Sequence, residues 1–318
     1  MSNYNPYSDN RAYTGKLDLT SEVIPPKSWF ESYPNELCIY QESESLPYPA
    51  VINNVASNHI TQLDTKILCI VATFTFMTIK QIKDCLILLK IPHSDTLVKS
   101  SIDRLARNQM LRLNRFGTDA EHCTKFYVYS LNKNGADIAK VRGIPHSFTP
   151  MQPATAPADM KRILAQNQAW LAFIKSGLEL DFLKRGEVIN AKEDKSAVVR
   201  PSLAVSIDHD PILIEIVRKG DFWEQYLCNK LERYKALLDN WESNSWKLET
   251  KPILVLNGEN EEHNRRILEL ATEIGLTDLF FTEDTLFCGA QFYHCLYQFN
   301  DKGQREFFCF EQPEAGAA

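Results

Sequence analysis

Residues Ser94 to Asn108, SDTLVKSSIDRLARN, carry two opposed faces at the period of an α-helix. Val98, Ile102 and Leu105 stand at i, i+4 and i+7 and are expected to face a core. Thr96, Lys99, Ser100, Asp103, Arg104 and Arg107 fall on the other side. Ser94 is placed to accept the first free backbone amides, so it marks the start. A helix that is apolar behind and hydrogen-bonding in front has the form needed to enter the B-DNA major groove, about 12 Å wide. Arginine holds a guanine edge with two parallel hydrogen bonds, whereas Lys, Ser and Thr hold phosphates. The competing reading of the same charges is a solvated helix face.

Two further helices precede this one. His59–Phe74 places Leu63, Ile67, Ile70 and Val71 in one stripe. Thr78–Leu89, capped by Thr78, lines up Ile79, Ile82, Cys85, Leu86 and Leu89. Pro92, which has no amide hydrogen, ends the pattern. After the third helix, Met110–Phe116 alternates apolar and polar residues as a half-wet strand does. Gly117–Ala120 supplies turn residues, Lys125–Leu131 returns as a second strand, and Asn132–Gly135 leads into a short helix near Ala136–Lys140.

These features resemble the winged helix-turn-helix family over about 75 residues. The exit Ser130–Gly135 is similar to the L-T-x-x-G stretch after many wings, with Asn132 in place of the Thr. The resemblance implies double-stranded DNA as partner. Thr96, Lys99, Ser100, Arg104 and Arg107 would read it from the third helix, and Arg112, Arg115 and Lys125 would meet it from the hairpin. Some winged helices bind protein instead, so an interaction adaptor is an alternative.

Charge is unevenly spread. From His59 to Ser147 there are thirteen Lys or Arg against seven Asp or Glu, a local +6 in a chain of net −6, which leaves −12 elsewhere. Such asymmetry suggests nucleic-acid contact confined to one domain. The 318 residues suit about two domains. The expected division is an irregular N-terminal arm over 1–58, a winged-helix domain over 59–147, a Pro- and Ala-rich linker over 148–158, an α/β domain over 159–310 and a tail over 311–318. The longest apolar stretch, Leu68–Met77, is far short of the ~20 residues that span a bilayer. The polar start MSNYNPYSDNRAYTGK lacks the apolar run of a secretory signal, and the eight cysteines include no CxxC pair. A cytoplasmic protein with reduced thiols and no membrane contact is expected. Cys288, His294 and Cys295 lie close in sequence but match no common zinc spacing, and buried thiols are the favoured reading.

The acidic block alternates helix and strand. Asp159–Lys175 is a helix, Asp181–Leu183 and Glu187–Ile189 are early strand candidates, Leu203–Ile207 and Ile212–Val217 flank the turn Asp208–Pro211, and Phe222–Trp241 is a long helix. Lys251–Leu256, a helix over Glu261–Ile274 capped by Asn260, Leu279–Phe281, and an aromatic hairpin over 290–299 and 305–310 follow. This order resembles the PD-(D/E)xK nuclease-like superfamily. The resemblance places Pro201 at the motif proline, Ser202 where an Asp would stand, Glu215 at the strand acid and Val217 at the lysine. Mg²⁺ needs several hard oxygen ligands, so the site reads as vacant, with Glu215 paired to Arg200, Arg218 or Lys230. The fold class expected is therefore α+β: an N-terminal winged helix-turn-helix domain followed by an α/β restriction-endonuclease-like domain.

Together the blocks resemble the replication-relaxation family of plasmid and mobile-element proteins, through Arg200-Pro201, Glu215 and Lys230-Leu231-x-x-Tyr234, with departures at Ser202 and Val217. The resemblance implies a DNA-binding accessory or regulator of plasmid replication, transfer or transcription, with relaxase or replication proteins as candidate partners. No cofactor is expected at the vacant site, and a homodimer is expected because winged-helix proteins commonly bind two-fold sites. The alternative is a nuclease that uses Glu215 with Mg²⁺.

Overall fold

Capping side chains set where the helices of the basic block begin. In the computed structural model, residues 28, 30–40, 46–57, 59–119, 122–124, 126–149, 155–191, 197–287 and 289–310 are described. The chain is a mixed α+β protein. The described residues divide into two compact units, one formed by those within 33–167 and the other by those within 28–32 and 168–310.

In the first unit Thr61 and Asp64 cap each other around the start of α2 (Gln62–Phe74), and Thr78 and Gln81 do the same for α3 (Ile79–Leu88). Ser94 Oγ accepts the amide of Leu97 at the start of α4 (Asp95–Arg107). Val98, Ile102 and Leu105 are buried as expected, together with Ser101. β3 (Leu111–Gly117) and β4 (Val128–Leu131) form the antiparallel hairpin, followed by α5 (Lys133–Val141). Gly135 is required there: a Cβ would lie 2.0 Å from the Met110 carbonyl oxygen.

Two strands were not expected. β2 (Phe76–Thr78) pairs with the free edge of β4, and β1 (Leu37–Tyr40) pairs with the outer edge of β3, giving a four-stranded antiparallel order β1-β3-β4-β2. The arm over 1–58 is therefore not wholly irregular. Besides β1 it contains α1 (Tyr48–Ala56), which starts with Pro in its first turn. β1 is held by a buried ion pair just before it, Glu36 with Lys161 Nζ at 2.6 Å, with side chains 3% and 1% exposed. The Lys161 ammonium also lies over the rings of Tyr33 and Phe116.

The expected linker also needs correction. α6 (Pro157–Lys175) starts inside it, and the division between units falls after Asn167, within the helix. The reason is hydrogen bonding. Asn167 Nδ2 donates to the carbonyls of Phe74 and Phe76, and Gln81 Nε2 donates to that of Leu164. These bonds make the first half of α6 part of the first unit.

The second unit is built on a seven-stranded sheet. It uses β5 (Leu180–Arg185), β8 (Leu203–Ile207), β9 (Asp210–Ile216), β10 (Ile253–Gly258), β11 (Leu279–Glu283), β12 (Leu296–Phe299) and β13 (Arg305–Phe308). A separate two-stranded ladder joins β6 (Ile189–Asn190) to β7 (Val198–Val199). The large sheet runs β13-β12-β11-β10-β9-β8-β5. β9, β10 and β11 are parallel, linked by α7 (Trp223–Asp239) and α8 (Glu261–Ile274), and the other neighbours are antiparallel. Asp208 and His209 turn the β8–β9 hairpin with φ of 50° and 69°, the left-handed pair a two-residue turn requires. The aromatic C-terminal hairpin is core in part: Tyr297 is fully buried against Phe281, Phe299 and Phe307, whereas Phe308 is exposed.

Lys161→Met removes the cation from beside a buried carboxylate and should cost about 3–5 kcal/mol. Urea unfolding checks this, and Glu36→Gln in the same chain should recover part of the loss.

Candidate nucleic-acid interface

The outer face of α4 presents Thr96, Lys99, Ser100, Asp103 and Arg107 exposed. Arg104 departs from that group. Its Nε donates to Asp64 Oδ2 at 2.7 Å and its Nη2 to Oδ1 at 3.2 Å, a two-pronged clasp. Asp64 has no exposed surface, while the Arg104 side chain remains 37% exposed. Arg104 was expected to read DNA; its hydrogen-bonding fork is instead committed to the start of α2. The physical reason is that a carboxylate buried to close a capping box needs a cation, and Arg104 sits at the flank of α4, one turn from the buried Ser101. Burial by itself would raise the Asp64 carboxyl, but hydrogen bonds from Arg104, Thr61 and Ser101 outweigh it and hold the group below the usual carboxylate range.

The hairpin arginines are half-buried against aromatic rings. The Arg112 guanidinium lies 5.4 Å from the ring centre of Tyr40, and that of Arg115 lies 5.4 Å from Tyr127. Burial lowers the Arg112 value somewhat, countered by Tyr40 and Cys38. Lys125 lies outside the described residues. Arg107 and Arg112 line one open cleft of about 630 Å³ with Tyr40, Asp103 and Tyr127. The structure thus brings Arg107 and Arg112 together, keeps Lys99, Thr96 and Ser100 on the open helix face, and takes Arg104 away. Tyr40, Asp64 and Tyr127 were not singled out from sequence. Asp64 had a readable signal in Thr61-x-x-Asp64, whereas Tyr40 reaches the cleft only because β1 pairs with β3.

In the second unit the position of interest is Glu215, next to the last residue of β9 and 4% exposed. Lys230 Nζ from α7 lies 2.7 Å from its Oε2, the Tyr234 hydroxyl donates to the same oxygen at 2.9 Å, and Ser202 Oγ donates to Oε1 at 3.3 Å. Ser202 Oγ in turn accepts the amide of Ile216 at 3.1 Å. Burial and the adjacent carboxylate push the Tyr234 phenol well up, so it stays a donor. Of the three cations considered for Glu215, Lys230 is the partner. Arg218 turns to Asp284, and Arg200 is exposed. Val217 is buried and apolar. The arrangement meets both carboxylate oxygens with protein donors, one of them charged. Among the described residues no group of three or more His, Cys, Asp or Glu is disposed to hold a metal. Cys288 lies outside them; Cys295 is buried with its thiol pushed up by burial, and His294 Nδ1 meets Cys309 Sγ. No helix among the described residues is long and apolar enough to cross a membrane.

No protein-family model matches the chain, and no curated protein does. A solved structure, that of protein VC1899 from Vibrio cholerae, is similar at 11% identity over 80% of this chain, with a TM-score of 0.30. The match spans 56% of that protein, so the chain covers little more than half its length.

Arg104→Ala should cost roughly 2–3 kcal/mol by leaving Asp64 buried without its clasp. Because the folded Asp64 carboxyl is depressed, this stabilisation is complete above the unfolded value of about 4 and fades as pH falls through the lower folded value. Denaturant midpoints of the two proteins should therefore differ at neutral pH and converge on acidification. Glu215→Gln keeps a hydrogen-bond acceptor but strands the Lys230 charge, and a loss of about 1–3 kcal/mol is expected by the same measurement.

Proposed function

We propose that the first unit is a winged-helix module that binds double-stranded DNA, and that the chain serves as a non-catalytic DNA-binding accessory factor. The observation that carries this is α4: its inner face is packed on the unit while Thr96, Lys99, Ser100 and Arg107 stay exposed. The order α2-β2-α3-α4-β3-β4, with β2 returning to the hairpin edge, supports the winged-helix reading. Lys99 and Arg107 enter the groove from α4; Arg112 and Arg115 supply positive charge from the hairpin, held at fixed pitch by the Tyr40 and Tyr127 rings. Arg104 positions the helix through Asp64 and is not a reader.

The second unit is read as nuclease-like, supported by the order α6-β5-β8-β9-α7-β10. Lys230 stands at Glu215 where a metal-using relative would place its ion, and the module then serves structure or partner contact. On this reading the chain fits the replication-relaxation type, a regulator or accessory of a plasmid or mobile element in the cytoplasm.

The test is fluorescence anisotropy on duplexes obtained by unbiased selection, repeated over a salt series. Release of counterions from four contacted phosphates predicts a log–log slope near −3.6, at ~0.9 per phosphate. Lys99→Glu with Arg107→Glu should weaken binding by more than tenfold with an unchanged melting temperature. Absence of binding by the parent chain at low salt would refute the DNA reading. Plasmid nicking with Mg²⁺ that disappears in Glu215→Gln would overturn the non-catalytic part.

A further inference from the structure

The carboxyl ends of the three parallel strands hold a set of buried polar groups that the DNA reading does not use. Arg218 follows β9, Asn257 and Glu259 stand at the end of β10, His263 lies in the first turn of α8, and Asp284 follows β11. Their exposures are 5, 0, 2, 0 and 5%. Arg218 donates to Asp284 at 2.5 Å and to Asn257 Oδ1 at 3.2 Å. Yet Arg218 Nε, Asn257 Nδ2, Glu259 Oε2 and His263 Nε2 have no hydrogen-bond partner. A buried polar atom left unmet is costly, and a set of them calls for a reason.

His263 adds a defined donor. Burial, with Lys219 and Arg218 nearby, brings its value down to about 3, so the ring is neutral. Its Nδ1 accepts the Glu259 amide at 3.2 Å, which puts the one ring proton on Nε2. The site therefore offers N–H donors from Arg218, Asn257 and His263 beside the carboxylates of Glu259 and Asp284. In open α/β sheets, ligands bind beyond the carboxyl ends of the parallel strands.

A segment of the same unit already lies on these groups. The Ser28 hydroxyl donates to Asp284, the Ser32 amide donates to Glu259 Oε1 at 3.1 Å, and Glu31 accepts from the Asn260 side chain at 2.9 Å. Asn260 is the N-cap of the fourteen-residue α8. Phe30, between these contacts in sequence, is 5% exposed. Ser28 and Ser32 thus present a hydroxyl and an amide donor to carboxylates, and Glu31 presents an anion to the side chain that caps α8. A nucleotide presents comparable groups: sugar hydroxyls that donate to carboxylates and a phosphate favoured at a helix N-terminus.

We propose that the carboxyl ends of β9, β10 and β11 form a nucleotide-binding site, occupied in this structure by Ser28 and Glu31–Ser32, which a nucleotide displaces. The inference rests on the second unit alone and stands apart from the DNA reading. A site closed by its own chain has its apparent affinity reduced by the fraction of time it is open.

The experiment uses the full chain with AMP, ATP and inorganic phosphate as probes. By calorimetry, Ser28→Ala with Phe30→Ala should bind AMP or ATP about tenfold more tightly than the parent chain. Adding Glu259→Gln to that variant should reverse the gain. In the parent chain, saturating nucleotide should speed hydrogen exchange of the peptide covering residues 28–32, because the Ser32 amide loses Glu259. Three results overturn the proposal: an opened variant that melts cooperatively and binds no nucleotide, phosphate binding as tightly as AMP, or exchange in the parent chain unchanged by either nucleotide. The exchange measurement decides the matter if the opened variant fails to fold.

Discussion

A carboxylate with no exposed surface governs the first unit. Asp64 accepts the amide that starts α2 and receives both prongs of Arg104 from α4. Two helices are thereby set against each other by charge as well as by apolar packing. The apolar stripe of Val98, Ile102 and Leu105 fixes which side of α4 is inward, but a stripe tolerates sliding along the helix axis. A bidentate ion pair does not, because its two hydrogen bonds fail together within about an ångström of displacement. The exposed positions of α4, Lys99 and Arg107 above all, inherit their placement from that clasp.

The same logic of burying a charge only beside its partner runs through both units. Glu36 is buried with Lys161, Asp284 with Arg218, and Glu215 with Lys230. In the last case the consequence is chemical. A carboxylate that already meets Lys230, Tyr234 and Ser202 has little left to offer a divalent ion. The groups around the carboxyl ends of the parallel strands differ: Arg218 Nε, Asn257 Nδ2, Glu259 Oε2 and His263 Nε2 stay unmet in the same sheet.

Much of the architecture was legible in the sequence. Caps at Thr78, Ser94 and Asn260 were named from residue type, and each accepts the expected backbone amide. The β8–β9 turn and the helix over Glu261–Ile274 fell where the pattern put them. These are short-range effects, in which a side chain meets an amide two or three residues away. β2 escaped notice because three buried residues have no readable period, and β1 because its pairing with β3 spans more than seventy residues of chain.

The sequence by itself determined where helices start, which faces are apolar and which block is basic. Only the tertiary structure decided what each charge does: that Arg104 holds Asp64 while Arg107 faces outward, and that Lys230, not Arg200 or Arg218, meets Glu215. The physical reason is one of range. Capping and periodicity are settled within a few residues, whereas the partner of a long charged side chain depends on which distant segment the packed core brings within hydrogen-bonding reach.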